Sequence, residues 1–191
     1  MTQRRALVVV AVLVVAAVVG ALLYTALPRR YRATPGNTVS AAPSTAPAPP
    51  GRKIKARLFY VAQDGTHLTG VEREIAYGEG AVAQAREIVA AQVAPVAEPL
   101  VSAVPAGTSL RALFISDKGD AYVDFSHELV SSHPGGTTSE LLTVYTIVDA
   151  LAANLPAVRA VQILVDGKEV DTLAGHIDLR QPIEKNLEFI Q

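Results

Sequence analysis

The chain is 191 residues long and 50% hydrophobic, with 17 Lys and Arg against 18 Asp and Glu and a formal net charge of −1, which bounds it to one domain of ordinary size. It contains no cysteine, which excludes disulfides, thiolate metal sites and a lipidated lipoprotein cysteine. The small net charge hides a division: five arginines and no acid precede residue 51, so the remainder, with 12 basic and 18 acidic residues, carries −6. A domain of that sign is repelled by phosphate backbones, which argues against nucleic acid as a partner.

Residues 1–5 form a short N-terminal segment. Residues 6–27, ALVVVAVLVVAAVVGALLYTAL, are 22 positions without a charge, about 33 Å as a helix against a hydrocarbon core of about 30 Å. This predicts a transmembrane signal anchor. The competitor is a cleaved signal peptide, whose apolar region is normally shorter and followed by a small-residue cleavage site. Arg4 and Arg5 face Arg29, Arg30 and Arg32 across the span, so the flanking charges nearly cancel and leave orientation open. Residues 28–51 are a Pro/Ala/Ser/Thr-rich linker; 33–51 hold five prolines and no charge, a tether that reaches roughly 60 Å if fully polyproline-like.

The globular domain is expected over 52–191. IKARLFYVA (54–62) predicts a first strand followed by the turn QDGT, and 67–77 a shorter extended segment. EGAVAQAREIVAAQV (79–93) places Val82, Ala85, Ile88 or Val89 and Gln92 at helical spacing, with Pro95 as its stop. SLRALFIS and AYVDFS around DKGD predict a hairpin over 109–126, with Leu110, Ala112 and Phe114 on one face and Ala121, Val123 and Phe125 on another. Thr137 to Glu140 read as a capping box opening a helix to Pro156, and 158–165 as a last long strand before an Asp166-Gly167 turn. The order β, short β, α, β, β, α, β predicts an α+β fold, a small mixed sheet with two helices packed on one face.

The stretch AYVDFSHELVSSH (121–133) gathers Asp124, Ser126, His127, Glu128 and His133 in a chain with four histidines. Zinc needs three or four convergent ligands, and the spacing of His127 and His133 matches no short zinc motif. Ser126 and His127 are neighbours in extended chain, so their side chains point to opposite faces, and no G-x-S-x-G turn is present. Asp124 and Glu128 would suit a glycosidase only beside aromatic sugar platforms, and the chain has no tryptophan. Gly78 and Gly80 open a helix without a phosphate-binding motif. These residues therefore predict no catalytic site, no metal and no cofactor; Asp124 and Ser126 are expected to satisfy backbone donors in the turn after the strand, and the two histidines to be solvated.

Five blocks in order, GVEREI (70–75), VSAVPAGTSL (101–110), AYVDFSHEL (121–129), ILVDG (163–167) and GHIDL (175–179), resemble the GerMN domain of spore-germination and sporulation proteins over roughly residues 56–182. The resemblance implies a non-enzymatic unit, similar in fold to the ring-building domains of secretion systems, that assembles side by side in the bacterial envelope. It also implies an external domain, hence N-in and C-out in the cytoplasmic membrane. The chain differs from the best-known relative in carrying one copy rather than two, and a membrane helix in place of a lipidated cysteine. The family supplies no catalytic residues. Asp124, Phe125, Ser126, Asp166, Gly167, Gly175 and His176 match its motifs, which implies fold-determining roles first and contact roles second.

The expected protein is thus a single-pass envelope protein whose domain binds other envelope proteins or copies of itself, in a ring or channel-type oligomer. The alternative is a module that binds peptidoglycan. Phe125→Ala should cost about 3–5 kcal/mol if the 121–123–125 face is the core, measured by chemical denaturation; a loss below about 1 kcal/mol would mean that the strand faces the other way.

Overall fold

The computed structural model describes residues 51–186. The expected membrane span at 6–27 and the linker up to residue 50 lie outside the described residues. Among the described residues, no helix is long and apolar enough to cross a membrane.

Strands β1 (Lys53–Val61) and β2 (Leu68–Ala76) pair antiparallel along their full length, so the second is as long as the first. Asp64 in their turn accepts the Thr66 N–H at 3.0 Å, the local side-chain bond that makes Asp a turn former. Helix α1 (Gly80–Val93) ends one residue before an extended Ala94, because Pro95 disfavours helical geometry in the residue before it. Strands β3 (Leu110–Ile115) and β4 (Asp120–Phe125) form the expected hairpin. A short helix α2 (Glu128–Ser131) comes next, then α3 (Thr137–Asn154), β5 (Ala160–Val165), β6 (Lys168–Glu169) and β7 (Ile183–Glu184).

The architecture is α+β with two sheets rather than one. β3, β4 and β5 run side by side, β4 and β5 parallel, with β6 and β7 both on the far edge of β5. The β1–β2 hairpin is a separate two-stranded sheet, and the physical reason lies on β1's outer edge. Arg57, Phe59 and Val61 turn their backbone groups away from β2, and side chains meet them where a third strand would. Asn154 accepts the Arg57 N–H at 2.9 Å and donates to its carbonyl at 2.7 Å. Gln92 does the same for Phe59, at 2.9 and 2.7 Å. Val61 N–H reaches Val101 O at 2.8 Å. Two carboxamides and one bridge thus replace a ladder.

The core runs from Leu58, Phe59 and Tyr60 of β1 through Ile88 of α1 to Val123, Phe125 and Ile163. α1 packs against β3 and β1, and α3 against β1 and β5. From Leu142 to Leu151, α3 is buried at every residue except the half-buried Tyr145, so it is a central helix, and strong all-round apolarity is what such a position demands. Phe125 is completely buried, with Ala121 and Val123 on its face. On β3 the expected face is corrected. The register shifts between Leu110 and Ala112, a bulge that re-aims the rest of the strand, so Leu113 faces the core while Ala112 and Phe114 are exposed. Backbone approaches require glycine at Gly78, where a Cβ would lie 2.4 Å from Ala83 C, and at Gly119 (φ +85°), where it would lie 2.7 Å from Ala157 O; Arg159 N–H donates to the Gly119 carbonyl at 2.8 Å.

Gln92→Ala should cost about 2–4 kcal/mol, since it strands two buried groups of Phe59, and Asn154→Ala about 1–2 at its more exposed end of the edge. Gln92→Glu should also destabilise, because a carboxylate cannot donate to the Phe59 carbonyl; urea unfolding of the three variants checks the order.

Candidate functional site

The motif residues fall into two clusters. The first lies where the parallel strands β4 and β5 end. Asp166 and Gly167 both have positive φ, +53° and +75°, as a two-residue turn between twisted antiparallel strands requires. Asp124 on β4 accepts the Gly167 N–H at 2.7 Å, and Asp166 N–H donates to Phe125 O at 2.9 Å. The Asp166 carboxylate receives Arg111 Nη1 at 2.6 Å and sits 3.5 Å from His127 Nδ1. Arg111 Nε lies 3.8 Å from Asp124 Oδ2, too far for a hydrogen bond.

Ser126 is committed across the hairpin: its N–H donates to Ser109 O and its Oγ accepts the Ser109 N–H, both at 3.0 Å. It also hydrogen-bonds the exposed Glu128 carboxylate, which holds that group below the usual range. Asp124 and Ser126 therefore do satisfy backbone donors, as expected, but in the turn after β5 and at Ser109, just ahead of β3, rather than in the turn after β4. His127 is exposed beside Asp166, and among the described residues no hydrogen bond joins a serine hydroxyl to a histidine ring.

The second cluster centres on Glu140, which sequence reasoning missed by assigning it to a capping box. Gly136 occupies the N-cap of α3 and no side chain caps it. Glu140 is instead completely buried and turned to the loop after β6. Its Oε1 accepts Leu173 N–H at 2.7 Å; its Oε2 accepts His176 N–H at 2.9 Å and meets His176 Nδ1 at 3.1 Å. Burial pushes the carboxyl's pKa up, but the backbone donors of Ala174, Leu173, Ile177 and His176 outweigh it and hold the group below its ordinary value. Gly175 (φ +97°) lets this loop curl around the carboxylate. The available signal was an acid at 140 in register with Val144, Ile147 and Leu151, a charge on an apolar stripe.

His133 is also corrected, from solvated to structural. Its Nε2 lies 3.1 Å from Thr143 Oγ1 and its Nδ1 accepts Gly135 N–H at 3.0 Å; burial chiefly lowers its pKa. A second acid buried on α3, Asp149, takes one bond, from Asn186 N–H at 3.2 Å, and its second oxygen has no partner among the described residues. Burial raises its pKa to about 6.

Among the described residues no group of three or more His, Cys, Asp or Glu could hold a metal. Two adjoining hollows, of about 720 and 390 Å³, share Val93, Ala94, Pro95 and Thr108. Both are lined in part by residues of the block 101–110, but by none of Asp124, Phe125, Ser126, Asp166, Gly167, Gly175 and His176, so those seven residues do not converge on a cavity.

Glu140 and Asp149, the two acids buried on α3, predict opposite pH behaviour. Glu140, with a lowered pKa, contributes stability that is present above its unfolded value of about 4.3 and lost as pH falls below it. Glu140→Gln should cost about 2–4 kcal/mol at pH 7, with the deficit shrinking in acid. Asp149, with a raised pKa, imposes a penalty that is absent below about pH 4, grows as pH rises towards 6 and is full above it. Asp149→Asn should therefore gain about 1–3 kcal/mol at pH 7.5 and little at pH 4, read from urea midpoints at both pH values.

Comparison with known proteins addresses the fold. A family model, Germane, described as sporulation and spore germination, matches residues 57–171. The tandem GerMN domains of the sporulation protein GerM from Bacillus subtilis match with a TM-score of 0.55 and 15% identity, over 72% of this chain and 48% of that one, as one domain of two would. The first GerMN domain alone gives 0.53 and 15%, over 69% and 97%. A protein described as a lipoprotein from Clostridium perfringens gives 0.50 and 23%, over 70% and 88%. At these identities the likeness is one of fold. No curated protein matches. The family is not one of known enzymes, and with its model spanning well over half of the sequence, the chain belongs to the Germane family of sporulation and spore-germination domains.

Proposed function

We propose that the chain is a non-enzymatic envelope protein, held in the cytoplasmic membrane by residues 6–27 with its domain outside, and that this domain assembles with copies of itself or with other envelope proteins. The observation that carries the reading is how the motif side chains are used. Asp124, Ser126, Asp166 and His176 are engaged with backbone groups or with charged neighbours that fix turns. A family whose motifs are committed in this way keeps a shape, and a shape is what an assembly module presents.

The relative described as a lipoprotein supports a membrane-attached location, as does the uncharged run at 6–27. The ring-building likeness of the fold class supports side-by-side packing, for which β2 offers an edge that no strand covers, whereas on β3 Arg86 of α1 already donates to Leu113 O at 3.3 Å. Asp124, Phe125, Ser126, Asp166, Gly167, Gly175 and His176 hold these surfaces in place rather than touching the partner first. A second reading, peptidoglycan binding, is favoured by one observation: an aromatic pair formed by the exposed Phe114 and the half-buried Tyr122.

In-cell crosslinking of the tagged full-length protein, followed by mass spectrometry, tests the assembly reading. A ladder of self-crosslinks or a defined set of envelope proteins is the expected result; monomer alone at every crosslinker concentration would remove it.

A further inference from the structure

We propose that the open face of β3 and β4 is a saccharide-binding platform, formed by the ring pair Phe114–Tyr122 and the adjacent Arg111, Asp124 and Asp166, and that its ligand is a neutral amino-sugar polymer of the cell-wall type. The register sets Phe114 opposite Tyr122 and Ala112 opposite Asp124. The two ring centroids are 6.4 Å apart with planes inclined by 40°. Phe114 is 62% exposed, the most exposed large hydrophobic residue among those described. On β5 the same face is closed, because Gln162, 2% exposed, donates to Leu179 O.

The polar group begins one residue pair further along. Tyr122 and Asp124 lie on one face of β4, roughly 7 Å apart along the strand, about the width of one pyranose ring. A sugar offers C–H groups on its flat faces, which suit the negative face of an aromatic ring, and hydroxyls that donate and accept together around its rim. Arg111 and Asp166, each about half exposed, meet both needs, and Asp124, whose side chain is 11% exposed, adds only the oxygen that Gly167 N–H leaves over. Arg111 has five N–H donors, of which the bond to Asp166 uses one. Its Nε and Asp124 Oδ2, at 3.8 Å, are spaced for a hydroxyl that accepts from the first and donates to the second. Asp166, half exposed, keeps spare acceptor sites beside His127.

Size and charge select this ligand over a protein. With about 150–250 Å² in a whole aromatic side chain, Phe114 at 62% exposure and the half-buried Tyr122 together expose about 250 Å² at most, below the roughly 500 Å² that each partner of a specific protein interface buries. A domain of net charge −6 does not repel a neutral polymer as it would an anionic one. The hollows beside α1 have no aromatic ring in their lining, so they offer no stacking surface. Saccharide binding stands apart from the assembly reading; only the cell-wall source of the ligand rests on the external location proposed above.

The test uses full-length protein in detergent micelles, pelleted with isolated peptidoglycan sacculi and titrated separately with chitotetraose. The wild type should co-pellet, chitotetraose should displace it, and the Phe114→Ala/Tyr122→Ala variant should bind about tenfold more weakly, a loss of about 1.4 kcal/mol. Val82→Ala, a change at an exposed residue of α1, should bind as wild type, and an unchanged unfolding midpoint shows that the double variant is folded. No pelleting above a non-binding control protein, or pelleting that the double variant retains, overturns the proposal. If the double variant loses self-crosslinks yet still binds sacculi, the face is a protein interface and the proposal also fails.

Discussion

Backbone groups that no strand ladder reaches, and that burial denies to water, set the terms for this domain. An unmet N–H or C=O in the interior costs as much as a lost hydrogen bond. Here the deficit arises at two places, along the outer edge of β1 and in the loop from Leu173 to Ile177, and α3 serves both. Near its N-terminus Glu140 gathers the loop; at its C-terminus Asn154 closes part of the edge. The helix is buried on nearly all sides because it must stand between them. Its apolar residues fill the core, while these two polar side chains decide which segments lie against it.

The same logic explains why a motif rich in acids and histidines carries no visible reaction chemistry. A carboxylate that accepts a turn N–H, as Asp124 does from Gly167, is fixed in place but partly used up as an acceptor. Glu140 is used further, with several backbone donors around it and no solvent exposure. What chemistry remains is at the rim of the first cluster, where Arg111 and Asp166 are about half exposed and next to open aromatic surface. Rigid, satisfied groups inside and adaptable ones outside suit recognition better than turnover.

Much of the fold was legible because local signals agreed with the final arrangement. Asp166-Gly167, DKGD and Pro95 mark their turns and stop, and the alternation of Ala121, Val123 and Phe125 identified a core face. What could not be read was the long-range pairing of polar groups. Nothing local in the sequence says that Gln92 will bond Phe59 or that Asn154 will bond Arg57, since those partners are 33 and 97 residues apart. Glu140 was misread because its spacing from Thr137 satisfies a local pattern that the tertiary structure overrides. The bulge at Arg111 was equally silent, and it turned Phe114 outward. Of the site residues, the Asp124–Gly167 link was hidden for the same reason, although each residue was recognised by its motif.

The closure of β1 by carboxamides also determines how the molecule behaves in a crowd. A long strand with free backbone groups is a template on which another chain's strand can grow, and such edges are routes to aggregation and domain exchange. Capping by side chains differs from capping by a strand: it ends the sheet instead of passing the open edge to a neighbour. Asn154 and Gln92 belong to different helices, so an intruding strand would have to displace both helices at once. β1 is therefore retired from intermolecular pairing, and an oligomer that this domain built by strand addition would have to use another edge.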